Sequence, residues 1–443
     1  MRSVEGTPAG PGSTWPAPRQ LGARRRFDVL LRPALWLLVL VLASGAWRLS
    51  GILRSGFASY PIAATTAVVL FAVYAIPFLL LLRLIDYLER EPVSLQITAL
   101  AWGGLVATTA AVAGSSALQN ILAKWVSPGY AAQWGPAVAG AGIEEVLKAL
   151  GVVAIALVAR GRIRSVVDGF AYGALIGLGF QVVENVVFAL NAVALQGSDS
   201  VLPVVVTFLL RGFMAGIWSH TLFTALAGAG IAYFLVRRDR SLPVRLTVAI
   251  GLFLLAWGTH FLWNSPLLAD GFGYGLPGVL AALVIKAIPA LVVGILLIAA
   301  AERRQADYYA AVLAGLADPR IATREEIVAL VSPRRRVARR RRARLRLGHR
   351  GARAVRRLQS AQAKLAVALS REPSREPGAE VARRRREVLV RRHELMHLSL
   401  VASGTRPPAH PAMAASAVLV VYGLLVTLMV AGIGVAIRVL GGS

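Results

Sequence analysis

The chain has 443 residues, of which 56% are hydrophobic and only 16% are charged, and its formal net charge is +27. A composition this apolar, with a positive mean hydropathy, excludes an ordinary soluble domain and favours a membrane protein with several spans. The absence of cysteine excludes thiol nucleophiles, disulfides and cysteine-ligated zinc.

Residues 1–28 are rich in proline and glycine and then basic, which predicts a disordered tail without a cleavable signal. Stretches of about 20 apolar residues then predict transmembrane helices. We therefore expect an all-α fold, a bundle of about eight spans over 29–301 followed by one further span at the C-terminus. The predicted spans lie near 29–50, 60–83, 95–123, 134–159, 165–193, 202–236, 246–268, 277–301 and 414–437. The sixth is too long for one perpendicular helix and is expected to bend.

Basic residues concentrate on alternate connections of this bundle, for example at Arg24 to Arg26, at Arg160 to Arg164 and at Arg237 to Arg240. By the positive-inside rule we expect an integral plasma-membrane protein with a cytoplasmic N-terminus and its C-terminus outside.

Residues 302–413 hold more than half of the 49 Lys and Arg residues and are expected to form a basic, partly helical cytoplasmic region. A capping box at Thr323-x-x-Glu326 predicts a helix start within it. The polybasic stretch 333–400 is flanked by predicted spans, so we expect it to contact anionic lipid headgroups. Specific nucleic-acid binding is not expected, because the stretch has almost no aromatic residues for stacking.

Strongly polar side chains are few within the predicted spans. Each is costly in lipid unless it is paired or solvated, so each is a candidate for a functional site. Under the expected topology, Glu145, Glu184, His220 and His260 would share one level, from the bilayer centre toward the outer leaflet. On an unbroken helix Arg211 would point away from His220. Lys286 would either extend toward the membrane surface or pair with Glu184. The set is Glu144, Glu145, Lys148, Glu184, Asn185, Arg211, His220, His260, Asn264 and Lys286.

Residues three or four apart share one face of a helix, and this spacing groups several of the polar residues. The groups they would form are suited to activating a water molecule. Lys148 lies one turn from both Glu144 and Glu145, which would give an ionised carboxylate and a carboxylic acid side by side. Glu145, or Glu144, would act with His220 as the base. His260 and Asn264 are four residues apart and would stabilise a developing oxyanion.

Several short motifs resemble the PrsW family of intramembrane proteases, distantly related to the CAAX prenyl protease and bacteriocin-processing group. They are "EEVLK", Phe180-x-x-x-Glu184-Asn185, the lone His220 in "SHTLFTALAG", and "HFLWN", all between about 130 and 300. The resemblance implies an endopeptidase that cuts membrane-anchored substrates, in some members an anti-sigma factor. It also implies catalytic Glu144 and Glu145, essential His220 and His260, and oxyanion support from Asn264. One motif of the family, Phe-x-x-x-His, is not met, because Gly216 stands four residues before His220.

Several other interpretations remain open from the sequence. The Glu-Lys cluster could be a structural ion pair, and Glu184, Asn185, His260 and Asn264 could be interhelical hydrogen-bonding groups. A proton- or ion-coupled transporter would also use buried carboxylates, and a scaffold would use only the basic region.

The sequence favours a mechanism without a cofactor, because Lys148 already neutralises one carboxylate. The alternative is a zinc ion held by Glu145, His220 and His260. A zincin-like motif, "HELMH" at 393–397, follows Arg391 and Arg392, and we expect it to be the surface of an amphipathic helix.

Overall fold

The computed structural model describes residues 32–85, 91–159, 161–214, 219–371 and 378–402, and within these ranges every regular element is helical. The predicted tail at 1–28 and the predicted last span at 414–437 lie outside them. The helices of the bundle are α1 (Pro33–Ser59), α2 (Pro61–Ile85), α3 (Val93–Trp125), α4 (128–158), α5 (Val166–Gln196), α6 (Leu202–Thr207, continued by a π-helical turn over Phe208–Met214), α7 (His220–Val236), α8 (Leu242–Asn264) and α9 (Gly275–Ala314). After them come α10 (Arg324–Val331), α11 (Pro333–Arg371) and α12 (Ala379–Ala402).

Six of these helices, α1, α2, α3, α5, α8 and α9, are long and apolar enough to cross a membrane. The helix α4 carries Glu144, Glu145 and Lys148 and is not among the six. The predicted sixth span is two shorter apolar helices, α6 and α7, in agreement with the expectation that it is not one straight helix. The all-helical class and the integral membrane character are therefore confirmed, while nine spans, the topology and the cytoplasmic placement of the basic region stay predictions.

Helices α5 and α7 form the centre of the bundle, and small residues let their backbones touch. A Cβ added at Gly173 would lie 2.2 Å from the carbonyl oxygen of Thr224, and one added at Gly177 would lie 2.1 Å from that of His220. On the other side of α5, a Cβ at Gly179 would lie 2.1 Å from the Leu100 carbonyl oxygen of α3. This close packing between small residues, typical of membrane helices, holds the first residue of α7 against α5.

The helix α9 runs for 40 residues and passes through the boundary predicted at 301/302 without a break. Its last turns pack with α10, α11 and α12 around a separate apolar core that includes Leu313, Ile321, Leu365 and Val388. We call residues 302–402 the basic module. Its predicted capping box is confirmed, because Thr323 and Glu326 exchange side-chain to backbone hydrogen bonds at the start of α10.

We expect Gly177→Ala to destabilise the protein by about 1–3 kcal/mol, because a methyl group at the α5–α7 contact forces the helices apart. The change should lower the melting temperature in detergent and displace His220. Gly251→Ala is the matched control, since a Cβ there meets nothing within 4 Å and alanine is the better helix former. Equal melting temperatures for the two variants would show that the α5–α7 contact does not limit stability.

Candidate active site

The side chain of Lys148 lies at the centre of a polar cluster within the bundle and has 0% exposure. Its Nζ is 2.6 Å from Glu145 Oε1, 3.5 Å from Glu144 Oε2 and 3.1 Å from His220 Nδ1. The ammonium also lies 4.3 Å from the ring centroid of Phe180, which covers it with an aromatic face. One buried cation thus connects two carboxylates of α4 with the first residue of α7.

The contacts of His220 determine its tautomer. An ammonium group can only donate hydrogen bonds, so Nδ1 of His220 accepts from Lys148 and the ring proton lies on Nε2. That N–H donates to Glu184 Oε2 on α5, at 3.0 Å. The unprotonated nitrogen, Nδ1, therefore faces Glu144.

The contacts of His260 give the opposite tautomer. Nδ1 lies 2.8 Å from Glu145 Oε1, a carboxylate oxygen that accepts, so the proton lies on Nδ1. Nε2 accepts from the amide Nδ2 of Asn264 at 3.1 Å. The ring is fully buried and is stacked on Phe223, with 5.3 Å between ring centroids. A carboxylate and an amide thus hold the two nitrogens of this imidazole in place.

The two unprotonated nitrogens converge on one carboxylate. His220 Nδ1 is 3.8 Å and His260 Nε2 is 3.7 Å from Glu144 Oε2. These three groups could hold a metal ion, because their ligand atoms lie within 4.8 Å of one another. The ion would take the nitrogen lone pairs that here accept hydrogen bonds from Lys148 and Asn264. Among the described residues nothing donates a hydrogen bond to this buried Oε2 atom.

This donor set fits zinc by its chemistry. Two imidazoles and one glutamate are a ligand combination found in catalytic zinc sites. Each histidine also donates its other N–H to a second carboxylate, Glu184 or Glu145, the arrangement that usually orients zinc-bound imidazoles. The alternative set predicted from the sequence, with Glu145 as the third ligand, is not the set that converges, because among the described residues the ligand atoms within 4.8 Å of one another belong to Glu144, His220 and His260. Glu145 Oε1 faces the protonated nitrogen of His260 instead.

Arg211 joins the site through Glu184, contrary to the expectation from an unbroken helix. Its guanidinium lies 2.6 Å from Glu184 Oε2 and donates from Nε to Asn185 Oδ1 at 2.8 Å. Since α6 and α7 are separate helices, their faces need not follow one helical period. Glu184 therefore lies between a permanent cation and His220.

The structure brings all seven sequence-predicted residues of the site together. Glu144, Glu145 and Lys148 come from α4, Glu184 from α5, His220 from α7, and His260 and Asn264 from α8. Lys286 takes neither of its predicted positions; it donates to the carbonyl oxygen of Ser265, at 3.1 Å, just beyond the end of α8. Sequence reasoning missed the π-helical turn Pro136–Gly140 that leads into Glu144, although its Pro and Gly residues were visible.

The "HELMH" motif lies on α12 with His393 and His397 exposed, as expected for a helix surface. The carboxylate of Glu394 is bonded to Arg357 and Arg391. Among the described residues the one group able to hold a metal is Glu144, His220 and His260.

Comparison with known proteins agrees with the motifs. Residues 91–295 match the family model described as PrsW family intramembrane metalloprotease. The PrsW resemblance is thereby confirmed over the part of the chain that contains the site, and it supports a membrane protease. No curated protein and no solved structure matches the chain. The preference for a mechanism without a metal finds no support, because the PrsW description names a metalloprotease and a Glu/His/His group is present.

Lys148→Met should destabilise the protein by about 3–5 kcal/mol, because it leaves buried carboxylates without their cation. Adding Glu145→Gln should recover part of this loss, and the double-mutant cycle measures the coupling. Thermal unfolding in detergent is the measurement. The control is Lys124→Met, which removes an exposed lysine near the end of α3. Additive effects of the two substitutions would contradict a direct ion pair.

Proposed function

We propose that this protein is an intramembrane zinc endopeptidase in which Glu144, His220 and His260 hold the metal. The observation that carries the proposal is the convergence of two unprotonated imidazole nitrogens on a carboxylate oxygen that receives no hydrogen bond from the described residues. The surrounding charges support it, since three carboxylates face two basic side chains, Lys148 and Arg211, and leave an excess of negative charge for a divalent ion.

When bound, zinc lowers the pKa of a water ligand and polarises the carbonyl of a peptide bond. The protein's own groups orient the site. Glu145 holds His260 and Glu184 holds His220, each through an N–H group, so both rings present an unprotonated nitrogen inward. Lys148 offsets the charge of the α4 carboxylates, and Phe180 and Phe223 exclude water from one side of the histidines.

The space beside Gly140 is suited to the reacting peptide bond. An atom placed where a Cβ of Gly140 would lie is 3.5 Å from Glu144 Oε1 and 3.8 Å from Asn264 Nδ2. A carboxylate oxygen there can accept a proton from the attacking water. The amide N–H that here donates to His260 Nε2 would be released when that nitrogen binds zinc, and it could then donate to the developing oxyanion. We therefore assign Glu144 Oε1 and Asn264 Nδ2 these two roles.

The substrate class follows from the location of the site among apolar helices. We propose that the substrates are proteins anchored by a membrane span, such as an anti-sigma factor or another signalling protein, and that the enzyme acts in the plasma membrane.

Purified wild-type protein should carry about one zinc ion per chain, and a chelator should stop cleavage of a single-span reporter substrate until zinc is returned. Glu144→Gln, His220→Ala and His260→Ala should each lose both zinc and cleavage. Glu184→Gln, which weakens the support of His220, should lower zinc affinity about 10–100-fold. Metal analysis and reporter cleavage in proteoliposomes are the measurements.

The matched control is the double substitution His393→Ala with His397→Ala, which removes the zincin-like motif of α12 and should change neither quantity. Full cleavage by metal-free wild-type protein would overturn the zinc assignment. Full cleavage by folded Glu144→Gln and His260→Ala would overturn the site itself. Proton-coupled flux without any peptidase activity would instead favour a transporter.

Gly140→Val should bind zinc normally but cleave the reporter poorly, because the valine side chain fills the space between Glu144 Oε1 and Asn264 Nδ2. Gly142→Val is the control, since a Cβ there meets only Trp257, at 3.8 Å. Similar cleavage by the two variants would place the peptide bond elsewhere.

A further inference from the structure

The long helix α11 is broken at Gly348, whose backbone has φ 66° and ψ −164°. The break separates an N-terminal segment, residues 333–347, from a second segment that packs in the apolar core of the basic module. Leu358 and Leu365 of the second segment are buried there, together with Val388 of α12. The two parts of the basic sequence therefore have different surroundings.

Most arginines of α12 are already paired with carboxylates. Arg383 and Arg384 bind Glu380, Arg385 binds Asp318, and Arg391 binds Glu394. Arg392 binds the buried Glu326, where Arg339 is a second partner. These cations stabilise the module itself and are not free to attract an external anionic partner.

Segment 333–347 presents a different surface. At 3.6 residues per turn its exposed positions fall within one half of the helix circumference, while Arg336 and Ala343 on the other half are buried. We call this exposed half the basic face. Among the described residues no carboxylate lies within ion-pair distance of its five arginines. The basic face consists of Arg334, Arg335, Val337, Ala338, Arg341, Arg342, Leu345 and Arg346.

Large apolar side chains lie among these cations, with Val337 59% and Leu345 69% exposed. A helix face that combines arginines with exposed aliphatic groups is typical of helices that lie in the interface of an anionic bilayer. A nucleic-acid backbone would leave the aliphatic groups in water, and the face has no aromatic residue on which a base could stack.

The start of the segment lies beside the end of the membrane-crossing part of α9. Arg304 of α9 is 3.4 Å from Asp239, in the short connection between the apolar helices α7 and α8. Two residues earlier, Glu302 interacts electrostatically with Arg336, in the first turn of the segment. A helix held at this level has a lipid surface within reach.

We propose that the basic face docks on the anionic headgroups of the bilayer in which the protein is embedded. The arginines bind lipid phosphates and carboxylates, and Val337 and Leu345 enter the boundary between headgroups and acyl chains. The proposal narrows the lipid contact predicted for 333–400 to the basic face, which is one half of the helix circumference along 333–347. It does not depend on the proposed enzymatic activity.

The absence of cysteine in the natural chain allows a site-specific test on the full-length protein. A fluorophore is attached at Ala338→Cys in the basic face, or at the exposed Ser399→Cys on α12 as the control position. Each protein is placed in nanodiscs of phosphatidylcholine alone or with about 30% phosphatidylserine, which gives a surface potential that attracts basic segments. Quenching by a lipid-attached quencher and by aqueous acrylamide reports where the label lies.

In anionic discs the label at 338 should be quenched from the lipid and protected from acrylamide, and in neutral discs the reverse should hold. The label at 399 should respond equally in both. Each arginine near an anionic surface contributes about fivefold to binding, so Arg341→Gln with Arg342→Gln should lower the docking equilibrium about 25-fold. High salt should also release the label.

The matched control is Arg353→Gln with Arg356→Gln, two exposed arginines of the second segment with the same loss of charge, for which we expect less than about a twofold change. Equal quenching of label 338 in both lipids, or equal loss in the two double variants, would overturn the proposal. Protection of the label by added RNA or DNA in neutral discs, without protection by anionic lipid, would identify a nucleic-acid surface instead.

Discussion

The buried ammonium of Lys148 is the group on which the arrangement of the site depends. A cation with no exposure in an apolar bundle is costly, and the cost is offset only when several acceptors surround it closely. Glu145, Glu144 and His220 do this, and they come from two different helices. Because Lys148 can only donate, its position also determines which nitrogen of His220 is unprotonated. One electrostatic requirement therefore sets helix position and imidazole chemistry together.

Helix packing places the side chains of this cluster within hydrogen-bonding distance of one another. The glycines of α5 bring the backbone of α7 into contact, which places His220 within reach of Glu184 and Lys148. Lys286 of α9 is anchored on the Ser265 carbonyl at the end of α8, close to Asn264. The same α9 then continues without a break into the basic module. The site and the module are thus connected by one continuous helix, although their cores are separate.

Most of the fold and the membership of the site were predictable because they depend on local properties of the chain. Apolar stretches of sufficient length predict helices, and buried ionisable residues are rare enough to mark a functional region. The spacing of Glu144, Glu145 and Lys148 on one helix puts them on adjoining faces. That the predicted sixth span is not one straight helix followed from its length alone. In contrast, the sequence left Arg211 outside the site, because a helical period carries no information from one helix to the next.

The sequence by itself determined an all-helical membrane protein, the seven polar residues that the fold brings together and the PrsW resemblance over about 130–300. These properties follow from composition, hydropathy and residue order. Only the tertiary structure decided that Glu144 rather than Glu145 faces the two unprotonated nitrogens, and that the arginines of 333–347 are exposed while those of α12 are paired. Adjacent glutamates point about 100° apart, and which of them faces both unprotonated nitrogens depends on helices that are more than 70 residues away in the chain.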